Sequence, residues 1–139
     1  PLDASGHGAI LNQALQAKRE FEHRLTDEIE DIHLLPGSDT NIICFLIARE
    51  GEGLRRVNMH TGRLIAAMDN SPNFSVTRTS LTLRCYRGLI EKMVSSWRGE
   101  ADDDHMLVVR MVVMSPYLMD ETTNRKLMGE FIEEVKTSI

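Results

Sequence analysis

Arg110 is the residue whose type and setting point most directly to chemistry. It interrupts a run of nine residues, 106–114, that is otherwise apolar. Burying a guanidinium group costs free energy unless a partner compensates its charge, so a buried Arg110 requires one. The planar group can hold a carboxylate or a phosphate through two parallel hydrogen bonds. Arg110 is therefore a candidate for binding a small acid. Two alternatives stay open, a structural pair with an acidic side chain and an outward-facing position on an edge strand.

The other residue types that support catalysis or metal binding do not form known patterns. The acidic run 102–104 lacks the glycine and the spaced oxygen ligands of a calcium loop, and Gly51 and Gly53 lack the third glycine of a dinucleotide loop. We therefore predict no catalytic residue, no cofactor-binding residue and no metal ligand in this chain. The scattered histidines are expected to be surface or hydrogen-bonded side chains: His7, His23, His33, His60 and His105.

The two cysteines, Cys44 and Cys85, lie far apart in the sequence. Neither has a second cysteine at the spacing of a metal-binding pair. A thiol without such a partner usually packs as a small apolar side chain. We predict two reduced, buried thiols.

Length and composition indicate one globular domain. The 139 residues are 42% hydrophobic and 27% charged, and the net charge is −5. There is no basic run to bind a phosphate backbone, no apolar stretch that would cross a bilayer and no signal peptide, so we expect neither nucleic-acid nor membrane partners and a cytoplasmic location. The chain begins at Pro1, which suggests processing or excision from a longer protein.

The spacing of apolar residues predicts eight elements. The expected order is helix, strand, strand, helix, strand, short helix, strand, helix, over residues 7–25, 28–35, 41–48, 54–68, 74–83, 89–97, 106–114 and 120–135. This order favours an α+β fold over a doubly wound parallel sheet. We predict an antiparallel or mixed sheet of about four strands, helices packed on one face and an additional N-terminal helix. Residues 1–27 form the N-terminal helical segment and residues 28–139 form the domain.

Four segments, taken in order, resemble a known family. They are residues 39–45, the helix over 53–68, residues 75–81, and residues 109–116 with the helix that follows to 135. Together they are similar to the C-terminal small domain of the group II pyridoxal-phosphate-dependent decarboxylases that act on glutamate and aromatic amino acids. Each segment is short, and the resemblance depends on their order and spacing. Residues 85–105 look like an insertion relative to shorter members.

The resemblance implies a role for Arg110 and a larger enzyme around it. The family places an arginine at this position to bind the α-carboxylate of the amino-acid substrate. Its Schiff-base lysine, the acidic partner of the pyridine nitrogen and the ring-stacking histidine belong to a large domain of the same polypeptide that this chain lacks. The full-length enzyme is expected to bind pyridoxal phosphate and to form a homodimer. This chain alone is expected neither to hold the cofactor nor to decarboxylate anything.

Two other functions remain as alternatives. One is a stand-alone α+β module that binds a small acid or has a regulatory role, and the other is a structural domain that associates with itself. An Arg110 that faces open solvent, or one that is locked to an acidic neighbour on a face away from any cofactor domain, would count against carboxylate binding.

Overall fold

The computed structural model describes residues 16, 18–36, 42–69, 76–112 and 121–139, with side chains in the last segment for 126 and 128–139. The first described helix, α1, covers residues 18–28. The elements that follow are β1 (Ile32–Leu34), β2 (Ile42–Ile47), α2 (Leu54–Asp69), β3 (Thr77–Thr82), α3 (Leu83–Ser96), β4 (His105–Val112) and α4 (Glu121–Ser138).

The strands form one antiparallel sheet in the order β1-β2-β4-β3. β4 therefore lies between β2 and β3, the two strands that α2 joins. Arg110 of β4 is opposite Cys44 of β2 and Thr77 of β3. The residue sits in the interior of the sheet rather than on an edge strand.

Two apolar clusters lie on the two faces of the sheet. Alternate residues of β2 and β4, such as Phe45 and Val109, face the cluster formed with α1, α2 and α4. The intervening residues, such as Leu46 and Val108, face the second cluster, to which α3 and the start of α2 contribute. Because side chains alternate along a strand, α3 lies on the face opposite to α1 and α4. The helices are thus divided between the two faces.

Helix α1 shares the core of the elements that follow it. Phe21 packs against Phe131 of α4 with ring centroids 5.4 Å apart, and Phe131 in turn meets the ring of Phe45 at 6.4 Å. Leu25 is fully buried in the same cluster. The described part of the N-terminal helical segment is therefore packed into the same core as α2, α4 and the sheet.

The predicted α+β class and the element order are confirmed, and the sheet of about four strands, predicted as antiparallel or mixed, is antiparallel with four strands. The prediction that the helices pack on one face is wrong, because α3 covers the face opposite to α1 and α4. α3 begins at Leu83, six residues before the predicted start, with a kink at Tyr86, and β3 ends at Thr82. The alternating pattern predicts that the strand includes Leu83. Instead the Leu83 amide donates to the backbone carbonyl of Asp104 at 2.8 Å, and the chain turns directly into the helix. The parts of the predicted elements at residues 7–15, 17, 41, 74–75, 113–114 and 120 lie outside the described residues.

Strands β2 and β4 separate after Phe45, and two side chains of α2 occupy the gap. The register ends at Phe45 opposite Val109, so the next hydrogen-bonded pair of the ladder would be Ile47 with Leu107. Instead the Ile47 amide donates to the Thr61 hydroxyl at 3.3 Å, and the Leu107 amide donates to the Asn58 side-chain oxygen at 2.8 Å. Asn58 also donates to the carbonyl of His105 at 2.8 Å. Side chains of α2 thus replace a lost pair of backbone hydrogen bonds.

The connection between α3 and β4 caps the start of α2. The Arg55 amide donates to the Asp102 carboxylate at 2.8 Å, and the Leu54 amide donates to the Glu100 carbonyl at 2.8 Å. Such acceptors satisfy amides that have no partner within the helix. The segment 85–105, expected as an insertion, therefore supplies most of α3 and the cap that fixes α2 against the sheet.

Candidate functional site

Arg110 lies on the same face of the sheet as the residues that α3 covers. Met106 and Val108 precede it on this face, and both are completely buried beneath α3. Arg110 itself is exposed. The cover provided by α3 therefore ends between Val108 and Arg110, and the guanidinium projects from the interior of the sheet onto the open part of this face.

The expectation that Arg110 is buried and needs a partner is wrong. The apolar run predicted burial on both faces, but α3 crosses only the end of the sheet formed by Ala48, Thr82 and His105. Among the described carboxylates none lies within ion-pair distance of the guanidinium. The described residues thus form no closed carboxylate pocket around Arg110.

Cys44 and Thr77 are the nearest neighbours of Arg110 across the two ladders. The Thr77 hydroxyl donates to the backbone carbonyl of Arg110 at 3.3 Å. Cys44 is half-buried and packs at the margin of the cluster under α3. The sequence does not single out these two residues, because their proximity to Arg110 depends on strand register.

The two cysteines differ in exposure. Cys85 is exposed near the start of α3, so the prediction of a buried thiol is wrong there, and Cys44 is only half-buried. Both are free thiols. Burial raises the pKa of the Cys44 thiol, and the positive charges of Arg110 and Lys18 offset part of that rise.

The titration of Cys44 reports on its distance from Arg110. In a Cys85→Ser background we expect Cys44 to be alkylated by iodoacetamide with a pH midpoint above the ordinary thiol value. Arg110→Gln should move this midpoint higher still, because it removes a charge that stabilises the thiolate. Arg87→Gln, on the exposed side of α3, is the matched control and should leave it unchanged. An identical midpoint in the Arg110→Gln protein would show that the guanidinium is not close to the thiol.

Of the four described histidines three have hydrogen-bond partners and His23 is exposed at the surface, as predicted. His33 contacts the carbonyl of Ala48, and its ring packs against that of Trp97 with centroids 5.1 Å apart and the two planes tilted by 60°. His60 pairs with Glu52 at 3.2 Å. The remaining two pair with nearby aspartates, His23 with Asp27 and His105 with Asp103 and Asp104. His7 lies outside the described residues.

The acidic run before β4 gathers three groups with metal-binding atoms. Ligand atoms of Asp103, Asp104 and His105 lie within 4.8 Å of one another. Asp103 accepts a hydrogen bond from Asn58 at 3.1 Å, and His105 lies 2.8 Å from Asp104, whose pKa is lowered mainly by that contact. These contacts tie the connection to α2 and to the start of β4.

A cleft of about 330 Å³ lies between β1 and the end of α3. Its walls combine aromatic rings with charged groups and include His33, Trp97, Arg98, Glu30, Asp31 and Glu50. Arg98 pairs with Glu50 at 3.2 Å, and Asp31 accepts a bond from Arg49 at 3.3 Å. Arg110 is not part of this cleft, whose three carboxylates disfavour an acidic ligand.

The ladder neighbours of Arg110 are uncharged side chains. Cys44 and Thr77, its neighbours, offer no amine for a Schiff base, and Lys18 is buried and paired with Glu22 at 3.6 Å. What this part of the chain does offer is one exposed guanidinium on a rigid sheet. That arrangement can bind an anion once a second surface closes over it.

No protein-family model matches the chain, and no curated protein sequence is detectably similar to it. The described helices are all too short or too polar to cross a lipid bilayer.

Proposed function

We propose that this chain is the small domain of a cytoplasmic, group II pyridoxal-phosphate-dependent amino-acid decarboxylase, in which Arg110 binds the α-carboxylate of the substrate. The observation that supports this role is the position of Arg110 on a central strand, between β2 and β3. Its exposure on the part of the sheet face that α3 leaves open counts against carboxylate binding by this chain alone. Because strands β2 and β3 flank β4, the backbone of Arg110 is held in place, and this helps the side chain to orient a carboxylate.

The exposure of Arg110 makes a second surface necessary. An ion pair that remains in water contributes only about 0–1 kcal/mol, too little to select a substrate. Closure by another domain would remove water from the guanidinium and strengthen the pair. In the proposed enzyme this surface is the large domain of the same polypeptide, which also carries the Schiff-base lysine, and two such polypeptides form a homodimer.

The alternative of a stand-alone acid-binding module has less support. Such a module has to bind its ligand with the residues of this chain, and Arg110 has no enclosing wall among the described ones. The described cleft is lined by Glu30, Asp31 and Glu50, which repel an acid.

The reading frame that encodes this chain separates the two proposals. For the decarboxylase we expect several hundred codons upstream of Pro1 that include a His-Lys segment. An in-frame start codon immediately before Pro1 would instead favour the stand-alone module.

Arg110→Lys in the full-length protein tests the assigned role. Lysine keeps the charge but loses the planar pair of donors, so we expect kcat/KM to fall about 10- to 100-fold, or ~1.4–2.7 kcal/mol. The absorbance of the bound cofactor should be retained. Arg78→Lys is the matched control, because Arg78 is exposed on the neighbouring strand and points to the opposite face. Unchanged kinetics in Arg110→Lys would refute the role.

A further inference from the structure

Among the strands that the structure describes, β3 lies at an edge of the sheet and pairs on one side only, with β4. β4 occupies its inner side, with six consecutive residue pairs from Thr77–Arg110 to Thr82–His105. No described residue pairs with its outer side. An edge strand with free amides and carbonyls is a template for another strand.

The hydrogen-bond pattern shows which residues point outward. The Leu83 amide donates to Asp104 at 2.8 Å and continues the register of the ladder. Residues that bond to the partner strand alternate with residues that do not. Counting back from Leu83, the residues bonded to β4 are Thr77, Thr79 and Leu81. The amides and carbonyls of Arg78, Ser80 and Thr82 therefore point away from the sheet, and all three residues are exposed.

Arg78 is the one charged residue of the edge, which otherwise lacks the features that usually protect such strands. Its sequence, Thr-Arg-Thr-Ser-Leu-Thr, contains no proline and no lysine, and its ladder contains no bulge. Three of its six residues are β-branched threonines, which favour extended backbone. The strand is long enough for three outward residues to pair at once.

We propose that β3 pairs with β3 of a second copy of this chain, antiparallel and about a two-fold axis at Ser80, to make a continuous eight-stranded sheet. In this register Ser80 is opposite Ser80 of the second copy, and Arg78 is opposite Thr82. All outward amides and carbonyls of both strands then find partners.

Charge and symmetry favour a second copy as the partner. The only charged residue of the strand, Arg78, faces a neutral threonine in this register, so two identical strands meet without direct repulsion. A two-fold contact of this kind is closed and stops at the dimer. The contact is small, so we expect dissociation in the micromolar range or weaker, typical of low-area interfaces. The inference does not depend on the role of Arg110.

Sedimentation velocity of the 139-residue chain, over roughly 1 μM to 1 mM, tests the pairing. We expect a monomer–dimer equilibrium whose dissociation constant rises at least tenfold in Ser80→Pro. Proline removes an amide that points away from β4, so the internal ladder stays intact. Ser80→Val keeps the amide and favours extended backbone, and it should dimerise as well as the unmodified chain.

A second variant covers the case in which Ser80→Pro fails to fold. Ser80→Lys places two ammonium groups directly opposite each other across the axis and should also raise the dissociation constant at least tenfold. Amide exchange at Ser80 should slow as the concentration of the unmodified chain rises. A chain that stays monomeric throughout, or a dimer that persists in both Ser80→Pro and Ser80→Lys, would overturn the proposal.

Discussion

Replacing Asn58 of α2 with leucine is expected to lower the free energy of unfolding by about 2–5 kcal/mol. Its amide closes the gap where β2 and β4 separate, with one bond from the Leu107 amide and one to the His105 carbonyl, both 2.8 Å. Leucine fills a similar volume but leaves those two backbone groups without partners. Each unsatisfied buried group costs about 1–3 kcal/mol.

Urea denaturation followed by fluorescence measures this loss, because Trp97 is the only tryptophan and is buried. Thr61→Val, which removes the single acceptor of the Ile47 amide, should cost less, about 1–2 kcal/mol. Arg56→Leu, exposed on the same helix, is the control and should change stability by no more than about 0.5 kcal/mol. If Asn58→Leu is as stable as this control, the side chain does not bridge the two strands.

Gly99→Ala is the second change with a large expected effect, a loss of about 2–4 kcal/mol. A Cβ atom at this position would collide with the carbonyl oxygen of Glu52 and with the indole of Trp97. Those two groups are hydrogen-bonded to each other at 3.0 Å, so the backbone has to move and the bond is weakened. Trp97 anchors the end of α3 in the second apolar cluster, and the damage should extend to that helix.

Gly88→Ala is the matched control for this change. Gly88 lies within α3 with open space around the position of a Cβ atom. Alanine there should stabilise the protein by about 0.5–1 kcal/mol, because it lowers the entropy of the unfolded chain. Thermal or urea unfolding that ranks Gly99→Ala as no worse than Gly88→Ala would contradict the close approach of the chain at Gly99.

Much of the fold follows from local patterns in the sequence. The apolar run 41–48 predicts a strand buried on both faces, and the spacing of Leu54, Val57, Leu64 and Met68 predicts the buried side of α2. Such patterns are set by the repeat of a strand or helix and need no knowledge of partners. The α+β class follows from the order of these elements.

Features that depend on partners distant in sequence could not be predicted. Asn58 and Thr61 interrupt the apolar stripe of α2, but only the separation of β2 from β4 shows what they bind. The cap of α2 comes from Asp102, which accepts a hydrogen bond from the amide of Arg55, 47 residues earlier in the sequence. The start of α3 could not be predicted either, because the alternation of polar and apolar residues in β3 continues into Leu83.

The exposure of Arg110 is the clearest example for the candidate site. Period-two alternation places it on the face of Met106 and Val108, both of which are buried. Whether Arg110 is covered depends on how far α3 extends over that face. No local pattern in the sequence contains that information. The sequence pattern therefore predicts the strand that contains Arg110 correctly, but its prediction that the side chain is buried is wrong.

Binding of a carboxylate ligand and of its decarboxylated counterpart tests the role of Arg110 most directly. In the full-length protein, dissociation constants would be compared for L-glutamate with γ-aminobutyrate and for L-tyrosine with tyramine. We predict that Arg110→Lys weakens binding of the amino acid that the enzyme accepts by about 10- to 100-fold and leaves binding of the matching amine unchanged. Equal losses for both ligands, or no loss for either, would contradict the proposal that this guanidinium holds the substrate carboxylate.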